Sequence, residues 1–160
     1  MRSLREGSDW WSDMEKLLIS SCMLGISSRY DGASKQVFSE EILAALAKKY
    51  QLVPFCPEIY GGLPTPRVPS ERVGNRVMMK DGRDVTENYA RGAKEALRLC
   101  KMLGIGKALL KERSPSCGMN GIYDGSFSGT LTSGMGVAAE LLSENGIEVF
   151  GESSVQQLLQ

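Results

Sequence analysis

Four short apolar runs alternate with segments of helical pattern along this chain, and that order restricts its fold more than any other feature. The runs are residues 16–21, 52–55, 107–110 and 147–150. Helices are predicted after Ser39, over 84–103, over 135–143 and from Ser154. Strands that alternate with helices favour a parallel sheet with helices on both faces. We therefore predict an α/β fold, a three-layer sandwich of Rossmann-like type whose sheet is mostly parallel.

Proline and glycine interrupt the chain between residues 57 and 82. This segment holds Pro57, Pro64, Pro66 and Pro69, together with Gly61 and Gly62. These residues predict that no long regular element forms there. A loop of this length in a compact domain is typically functional or disordered, so the segment is a candidate part of a binding site.

Size and charge predict one compact domain without a surface for polyanions. Residues 14–160 are assigned to a single α/β domain, and residues 1–13 to an N-terminal extension that is disordered or peripheral. Lysine plus arginine and aspartate plus glutamate each count 19, which disfavours a large nucleic acid or an anionic membrane as partner. No apolar run approaches the roughly 20 residues of a membrane helix. With no secretory signal pattern, we expect a cytoplasmic protein, and a homodimer is an open alternative to a monomer.

Three of the four cysteines follow predicted strands. Cys22, Cys56 and Cys117 each come shortly after one of the first three runs. Because ligands bind beyond the carboxyl ends of parallel strands, we expect these three to meet at one edge of the sheet. The chain has no histidine, so catalysis there would depend on carboxylates, hydroxyls, thiolates, cations or a bound metal. Cys100 lies on the apolar stripe of its helix and is expected in the core.

The cysteine pattern leaves several interpretations open. Each cysteine taken singly is most often a small buried hydrophobe. The gaps are 34 residues from Cys22 to Cys56 and 61 from Cys56 to Cys117, which match no zinc finger or ferredoxin run. Zinc would need a fourth ligand such as Glu58, whereas a three-thiolate iron–sulfur cluster would leave one iron open. Reduced thiols or metal ligands are favoured over disulfides in a cytoplasmic chain.

Polar residues near the cysteines are candidates either for chemistry or for ordinary loop structure. Glu58 is a candidate proton-transfer group, or else a solvated or salt-bridged loop carboxylate. Ser114 and Ser116 are candidates for catalysis, or for hydrogen bonds within a turn. A further set could form a substrate clamp or structural ion pairs. That set is Arg29, Asp31 and Arg67. Residues 134–136, before a predicted helix, could expose amides to an anion.

Three separated motifs give the chain a family resemblance. They are Cys22–Gly25 with Arg29–Gly32, Cys56–Glu58 with Gly61–Pro64 and Pro66–Arg67, and Ser114–Gly118. In this order they resemble the family known as domain of unknown function 523, whose characterised members are thiouracil desulfidases. The likeness extends from about residue 14 to the C-terminus, and three motifs together are far more specific than any one of them.

The resemblance implies an oxygen-sensitive [4Fe-4S] cluster held by Cys22, Cys56 and Cys117. It also implies catalysis by Glu58 and by a serine, with Ser114 as first choice and Ser116 as second. Ser116, Arg29, Asp31 and Arg67 are assigned to substrate binding. The implied reaction removes sulfur from a thiolated pyrimidine such as thiouracil by hydrolysis, with release of hydrosulfide.

Two alternatives to this reaction stay open. The first is a binding or sensing module whose cluster or zinc ion does not turn over a substrate. The second is a desulfidase that acts on a thiolated nucleoside or tRNA instead of a free base. The balanced charge of the chain argues mildly against a large RNA.

Overall fold

The computed structural model describes residues 11–33 and 36–160. The strands are β1 (Lys16–Ser20), β2 (Gln51–Phe55), β3 (Ser70–Val73), β4 (Arg76–Met79), β5 (Lys107–Leu110), β6 (Ile122–Tyr123), β7 (Leu131–Thr132) and β8 (Glu148–Gly151). The helices are α1 (Glu40–Lys49), α2 (Pro57–Tyr60), α3 (Thr86–Leu103), α4 (Val137–Glu144) and α5 (Val155–Leu159), with 3-10 turns at Ser21–Leu24 and Glu152–Ser154. Residues 1–10 of the expected N-terminal extension lie outside the described residues, and the domain boundary after residue 13 stays a prediction.

The central sheet has four strands in the order β2-β1-β5-β8. Every neighbouring pair in it is parallel, and Leu18 of β1 lies between Val53 of β2 and Ala108 of β5. The predicted α/β class and mostly parallel sheet are therefore confirmed. The chain adds β2 on one side of β1 and β5 on the other, so the strand order reverses between β1 and β5. Ligands of open α/β sheets bind at such a reversal point.

Helices cover both faces of this sheet because its strands are apolar on both sides. Leu18 and Ala108 point to the face that is packed by α3 and α4, where they meet Ala96 and Leu142. The alternate residues, Leu17, Ile19 and Leu109, point to the face covered by α1 and α5, where they meet Leu46 and Leu158. Full burial of one such aliphatic side chain stabilises the fold by about 1.5–3 kcal/mol. The result is the expected three-layer sandwich.

Helix ends follow the local chemistry of the sequence. The Ser39 hydroxyl accepts the N–H of Ile42 at 3.3 Å and so caps α1. The helix predicted over 84–103 begins at Thr86, because the Asp84 carboxylate accepts the Thr86 N–H at 2.9 Å and forms the preceding turn. In the described part of the chain, no helix is both long enough and apolar enough to cross a membrane.

The segment 57–82 contains more regular structure than its prolines and glycines suggested. It holds the short helix α2 and an antiparallel hairpin of β3 and β4, joined by a two-residue turn in which Gly74 has φ 58°. The apolar side of the hairpin covers part of α3, where Val77 and Met79 are buried together with Tyr89. The buried Glu71 carboxylate accepts the backbone N–H groups of residues 125 and 127, which ties the hairpin to the glycine-rich loop. This covered part of α3 faces the candidate site.

Candidate active site

The three cysteines expected to meet lie at the carboxyl ends of three adjacent strands. Cys22 lies in the 3-10 turn that follows β1, Cys56 directly follows β2 and precedes α2, and Cys117 lies in the loop between β5 and β6. Because β1 lies between β2 and β5, these ends share one edge of the sheet. Cys22 is therefore in a single 3-10 turn at the predicted edge of the sheet.

All three thiols are reduced and lie close enough to influence one another. Burial, and after it the nearby Cys56, raises the pKa of Cys22 to about 11. The pKa of Cys117 is raised to about 12, mainly by burial and in part by Cys56 and Cys22. The pKa of Cys56 is raised by its burial as well. All three cysteines are free, and each would have to lose its proton to bind a metal.

Serine residues contact two of these three thiols. The Ser116 hydroxyl lies 3.5 Å from Cys117 Sγ, and hydrogen bonds from Ser116 and Ser20 lower the pKa of that thiol against the effect of burial. Ser20 also accepts the N–H of Lys111 at 2.9 Å, which joins the ends of β1 and β5. The backbone oxygen of Ser28 lies 3.8 Å from Cys56 Sγ. Ser20 and Ser28 were not recognised in the sequence, where isolated serines near a strand end carry no distinctive signal.

The Cys117 loop is shaped by its own serine and by helix α4. Ser114 Oγ accepts the N–H groups of Ser116 at 3.2 Å and Cys117 at 3.1 Å, so the turn chemistry expected for this serine is present. The N–H groups of residues 137–139 bind the backbone oxygens of Pro115 and Ser116. The first amides of α4 therefore position the cysteine loop, and the Gly136 N–H binds the backbone oxygen of Gly118. An anion site at residues 134–136 stays a prediction.

Gly136 permits this close approach of α4 to the loop. A Cβ atom at residue 136 would lie 2.4 Å from the backbone carbon of Ser116 and 2.6 Å from the nitrogen of Cys117. A glycine is needed here because only backbone without a side chain can pack so near to another peptide.

Glu58 lies in the first turn of α2, not in the loop predicted for it, and its side chain is 12% exposed. Its Oε1 accepts the hydroxyl of Tyr89 at 2.8 Å and lies 3.5 Å from the Ser116 hydroxyl. Its Oε2 accepts both Nε, at 2.9 Å, and Nη2 of Arg67. Glu58 is thus a buried carboxylate with a counter-charge, and its contact with Ser116 leads toward the thiols.

Arg67 joins the Cys22 and Cys56 loops and does not extend a clamp with Arg29. Its side chain is 3% exposed, and besides Glu58 it donates to the backbone oxygen of Ser28 at 3.0 Å. Its Nη1 donates to the oxygens of Pro64 and Thr65. Arg29 instead pairs with Asp31 at 3.3 Å on the exposed side of the first loop. A direct substrate role for Arg29 or Asp31 stays a prediction.

Tyr89 belongs to the site, although it was not among the candidate residues of the sequence analysis. It lies on the apolar face of α3 and is 2% exposed, yet its hydroxyl binds the Glu58 carboxylate. Burial, and after it the Glu58 charge, raises the pKa of Tyr89 well above its usual range. The phenol is therefore a hydrogen-bond donor at every physiological pH.

The three thiols fit a metal–sulfur group better than a single ion. Over residues 11–33 and 36–160, no three cysteine, aspartate or glutamate side chains are placed to hold one metal ion. Glu58, the fourth zinc ligand considered, is already engaged by Arg67 and Tyr89. In a cluster, separate thiolates bind separate irons, and three reduced thiols from three strands suit that arrangement. Cys100 lies apart, buried among the apolar side chains of α3 and the sheet, as expected.

The strands, the three thiols and Glu58 all lie in the part of the chain that one protein-family model matches. A model of the family described as 2-thiouracil desulfurase matches residues 17–154. The chain belongs to the 2-thiouracil desulfurase family. The matched range includes all three cysteine loops as well as Arg67 and Tyr89.

Two known proteins resemble this family member over most of its length. A protein of Bacillus subtilis (strain 168), named uncharacterized protein YbbK, is 37% identical over 153 residues, which cover 89% of this chain and 99% of that protein. The solved structure named [4Fe-4S]-dependent thiouracil desulfidase TudS is 49% identical, with a TM-score of 0.85, and the match covers 90% of this chain and 95% of that one. The resemblance inferred from the three motifs is confirmed.

Proposed function

We propose that this protein is a [4Fe-4S]-dependent desulfidase that removes sulfur from a thiolated pyrimidine of the thiouracil type. The observation that carries the proposal is the meeting of three reduced thiols and a buried carboxylate at the reversal point of the sheet. Cys22, Cys56 and Cys117 would hold the cluster. The 49% identity to a structure named as a desulfidase of this kind supports the same chemistry here.

The cluster and the protein side chains would divide the reaction between them. A bound cluster with one iron free of cysteine supplies a Lewis acid for the soft sulfur of a thiocarbonyl group. Glu58 accepts a proton from the attacking water, since it is the buried carboxylate that reaches the thiol edge. The water oxygen bonds to the ring carbon, the carbon–sulfur bond breaks, and sulfur leaves as hydrosulfide. No external electrons are needed.

Ser116 and Ser114 extend the path of this proton toward the substrate. The Ser116 hydroxyl lies 3.5 Å from Glu58 Oε1 and 3.0 Å from the Ser114 hydroxyl. Either hydroxyl can donate and accept, so the pair relays a proton or orients a ring atom of the base. Ser114 is the outer and more accessible member of the pair, which favours it as the substrate contact.

An open cavity of about 520 Å³ lies beside the segment that follows β5, and its lining includes Lys111, Arg113 and Glu152. None of the three cysteines, Glu58, Ser114 or Ser116 lines this cavity. The thiolated base would therefore bind at the thiol edge itself, where Arg29 and Asp31 would contribute from the exposed loop after β1.

The decisive experiment is anaerobic reconstitution with iron and sulfide, followed by titration with 4-thiouracil. We expect cluster absorbance, about three to four irons per chain and release of sulfide. Cys22→Ala, Cys56→Ala or Cys117→Ala should lose cluster and turnover together, whereas Glu58→Gln should keep the cluster and lose turnover. Cys100→Ala is the matched control and should retain both. A reconstituted protein that takes up no iron would rule out the proposal.

The two other functions make different predictions in the same assay. A sensing module would bind 4-thiouracil, with a change in cluster absorbance, but would release no sulfide. An enzyme for thiolated tRNA would show activity that falls steeply with salt, whereas activity on a free base should not depend on salt. Comparison of free base, nucleoside and tRNA at two salt concentrations separates these functions.

A further inference from the structure

The Glu58 carboxylate accepts hydrogen bonds on both of its oxygens, and these bonds leave one acceptor position open toward Ser116. A carboxylate has about four positions at which it accepts hydrogen bonds. Arg67 occupies two of them on Oε2, and Tyr89 occupies one on Oε1. The remaining contact is the one with Ser116.

We infer that Tyr89 and Arg67 are positioning residues that fix the Glu58 carboxylate so that its one remaining acceptor position faces Ser116. The inference rests on the proposed function, because it concerns the group that accepts the proton there. It assigns to Tyr89, a residue of the α3 core face, a part in the reaction that its position in the sequence did not predict.

The Arg67 side of this arrangement is rigid. The guanidinium is planar, and its remaining donors are taken by the backbone oxygens of Ser28 and Pro64 and by the Thr65 hydroxyl. A side chain that is also held by two other segments, at Ser28 and at Pro64–Thr65, cannot follow Glu58 if the carboxylate rotates. Oε2 is therefore held in one place.

The Tyr89 side is equally well fixed. The ring is packed with Leu63, Val77 and Val85 under the hairpin, and α3 carries it on a long regular helix. Since the phenol stays protonated, it donates to Oε1 whatever the protonation of neighbouring groups. Two rigid donors on opposite oxygens set the plane of the carboxylate.

The orientation matters because Ser116 connects this carboxylate to the reacting edge. The Ser116 hydroxyl is within 3.5 Å of Glu58, Ser114 and the Cys117 sulfur. Rotation of the carboxylate by even a small angle would lengthen a contact that is already long. Misplacement of a catalytic group by about 1 Å lowers rates by roughly 100-fold.

Tyr89→Phe tests the inference because it removes only the hydroxyl and leaves the ring packing. We expect kcat for 4-thiouracil to fall about 10- to 100-fold, with KM unchanged within about twofold. The cluster absorbance and its change on binding 4-thiouracil should be those of the parent protein. Tyr50→Phe is the matched control, because it deletes a buried hydroxyl bound to a backbone oxygen on the opposite face of the sheet, and its kcat should not change.

A second pair of variants asks whether Tyr89 acts through Glu58. In a Glu58→Asp background the shortened carboxylate no longer reaches Tyr89, so adding Tyr89→Phe should lower kcat by less than twofold. A loss of the same size as in the parent background would show that Tyr89 acts elsewhere and would overturn the inference.

The possible failures are distinguishable. If Glu58→Gln is inactive but Tyr89→Phe retains full kcat, the proposed function stands and the positioning role is wrong. If Tyr89→Phe raises KM with kcat unchanged, the hydroxyl binds substrate and the inference is also wrong. If the reconstituted parent protein releases no sulfide, both the proposed function and this inference are overturned.

Discussion

At the scale of single residues, the Glu58–Arg67 pair combines a buried negative charge with an almost fully buried positive one. Such pairs add little net stability, because both charges lose their hydration. Removal of one partner is a different matter, since the other charge then stays in the interior without compensation. The stability of this protein should therefore depend strongly on Arg67.

Arg67→Met should lower the free energy of unfolding by roughly 3–5 kcal/mol, because it leaves the Glu58 charge buried and unpaired. Urea unfolding of the protein without bound metal measures this loss. Arg98→Met is the matched control, since Arg98 pairs with Glu95 on the exposed surface of α3, and its loss should stay below about 1 kcal/mol. Equal losses of unfolding free energy in the two variants would show that the buried Glu58–Arg67 pair matters no more for stability than an exposed pair.

Residue chemistry was predictable from the sequence where it is local and unpredictable where it depends on distant partners. Cys22, Cys56 and Cys117 could be found because each follows a strand, and the turn role of Ser114 because Ser-Pro-Ser has a known local geometry. Tyr89 could not be found, since its hydroxyl meets a carboxylate 31 positions away. An apolar helical stripe predicts burial and contains no information about which buried tyrosine binds an acid.

At the scale of elements, the site depends on the contact of α3 with α2. Gly92 of α3 faces Pro57, and a Cβ at residue 92 would lie 1.8 Å from the Pro57 oxygen. Helix α2 carries Glu58 and begins next to Cys56. Close packing at one glycine therefore determines where two candidate functional groups lie.

Gly92→Ala should displace α2 and reduce both cluster uptake and stability, although alanine alone favours a helix by about 1 kcal/mol over glycine. Iron content after reconstitution and urea unfolding report the two effects. Gly106→Ala is the matched control, because a Cβ at residue 106 meets nothing within 4 Å, and it should keep parental iron content. Normal iron uptake in Gly92→Ala would show that α2 tolerates the shift.

The hairpin of β3 and β4 shows where an element can be missed despite a sequence signal. The prolines on its N-terminal side led us to predict an irregular segment, and they counted too heavily in that prediction. Gly74-Asn75 is a recognised two-residue hairpin dipeptide. Each flanking strand contains only one β-branched residue, Val73 or Val77, so the signal around this dipeptide was weak. The main sheet was easier to predict because its strands are apolar on both faces and stand out from their surroundings.

At the scale of the whole molecule, buried thiols make stability depend on pH. The pKa values of Cys22 and Cys100 are raised to about 11 by burial, and that of Cys117 to about 12. In the unfolded chain these thiols lose protons near pH 9, whereas in the folded protein they keep them. Their stabilising contribution is therefore complete below pH 9 and is lost as the pH rises through about 11 to 12.

The protein without bound metal should lose stability between pH 9 and pH 11, and Cys100→Val should lose less. Each unit of difference in pKa is worth about 1.4 kcal/mol. At high pH the free energy of unfolding of the variant should therefore fall by up to roughly 3 kcal/mol less than that of the parent protein. Urea unfolding at pH 7.5, 9 and 10.5 gives the comparison, and the value at pH 7.5 controls for the change in packing. If the unfolding free energies of parent and variant fell equally with pH, the buried Cys100 thiol would not be a source of the pH dependence.

The amides of α4 that hold the Cys117 loop also determine when the set of three thiols is complete. Cys22 and Cys56 follow the first two strands of the sheet, but the third cysteine loop is shaped by a helix that begins at residue 137. Because a domain folds as a unit, the third thiol takes its place only when α4 packs against the sheet. A cofactor carried by these thiols would therefore find all of its ligands only in the folded domain, unlike the zinc of a finger domain, which folds its own peptide.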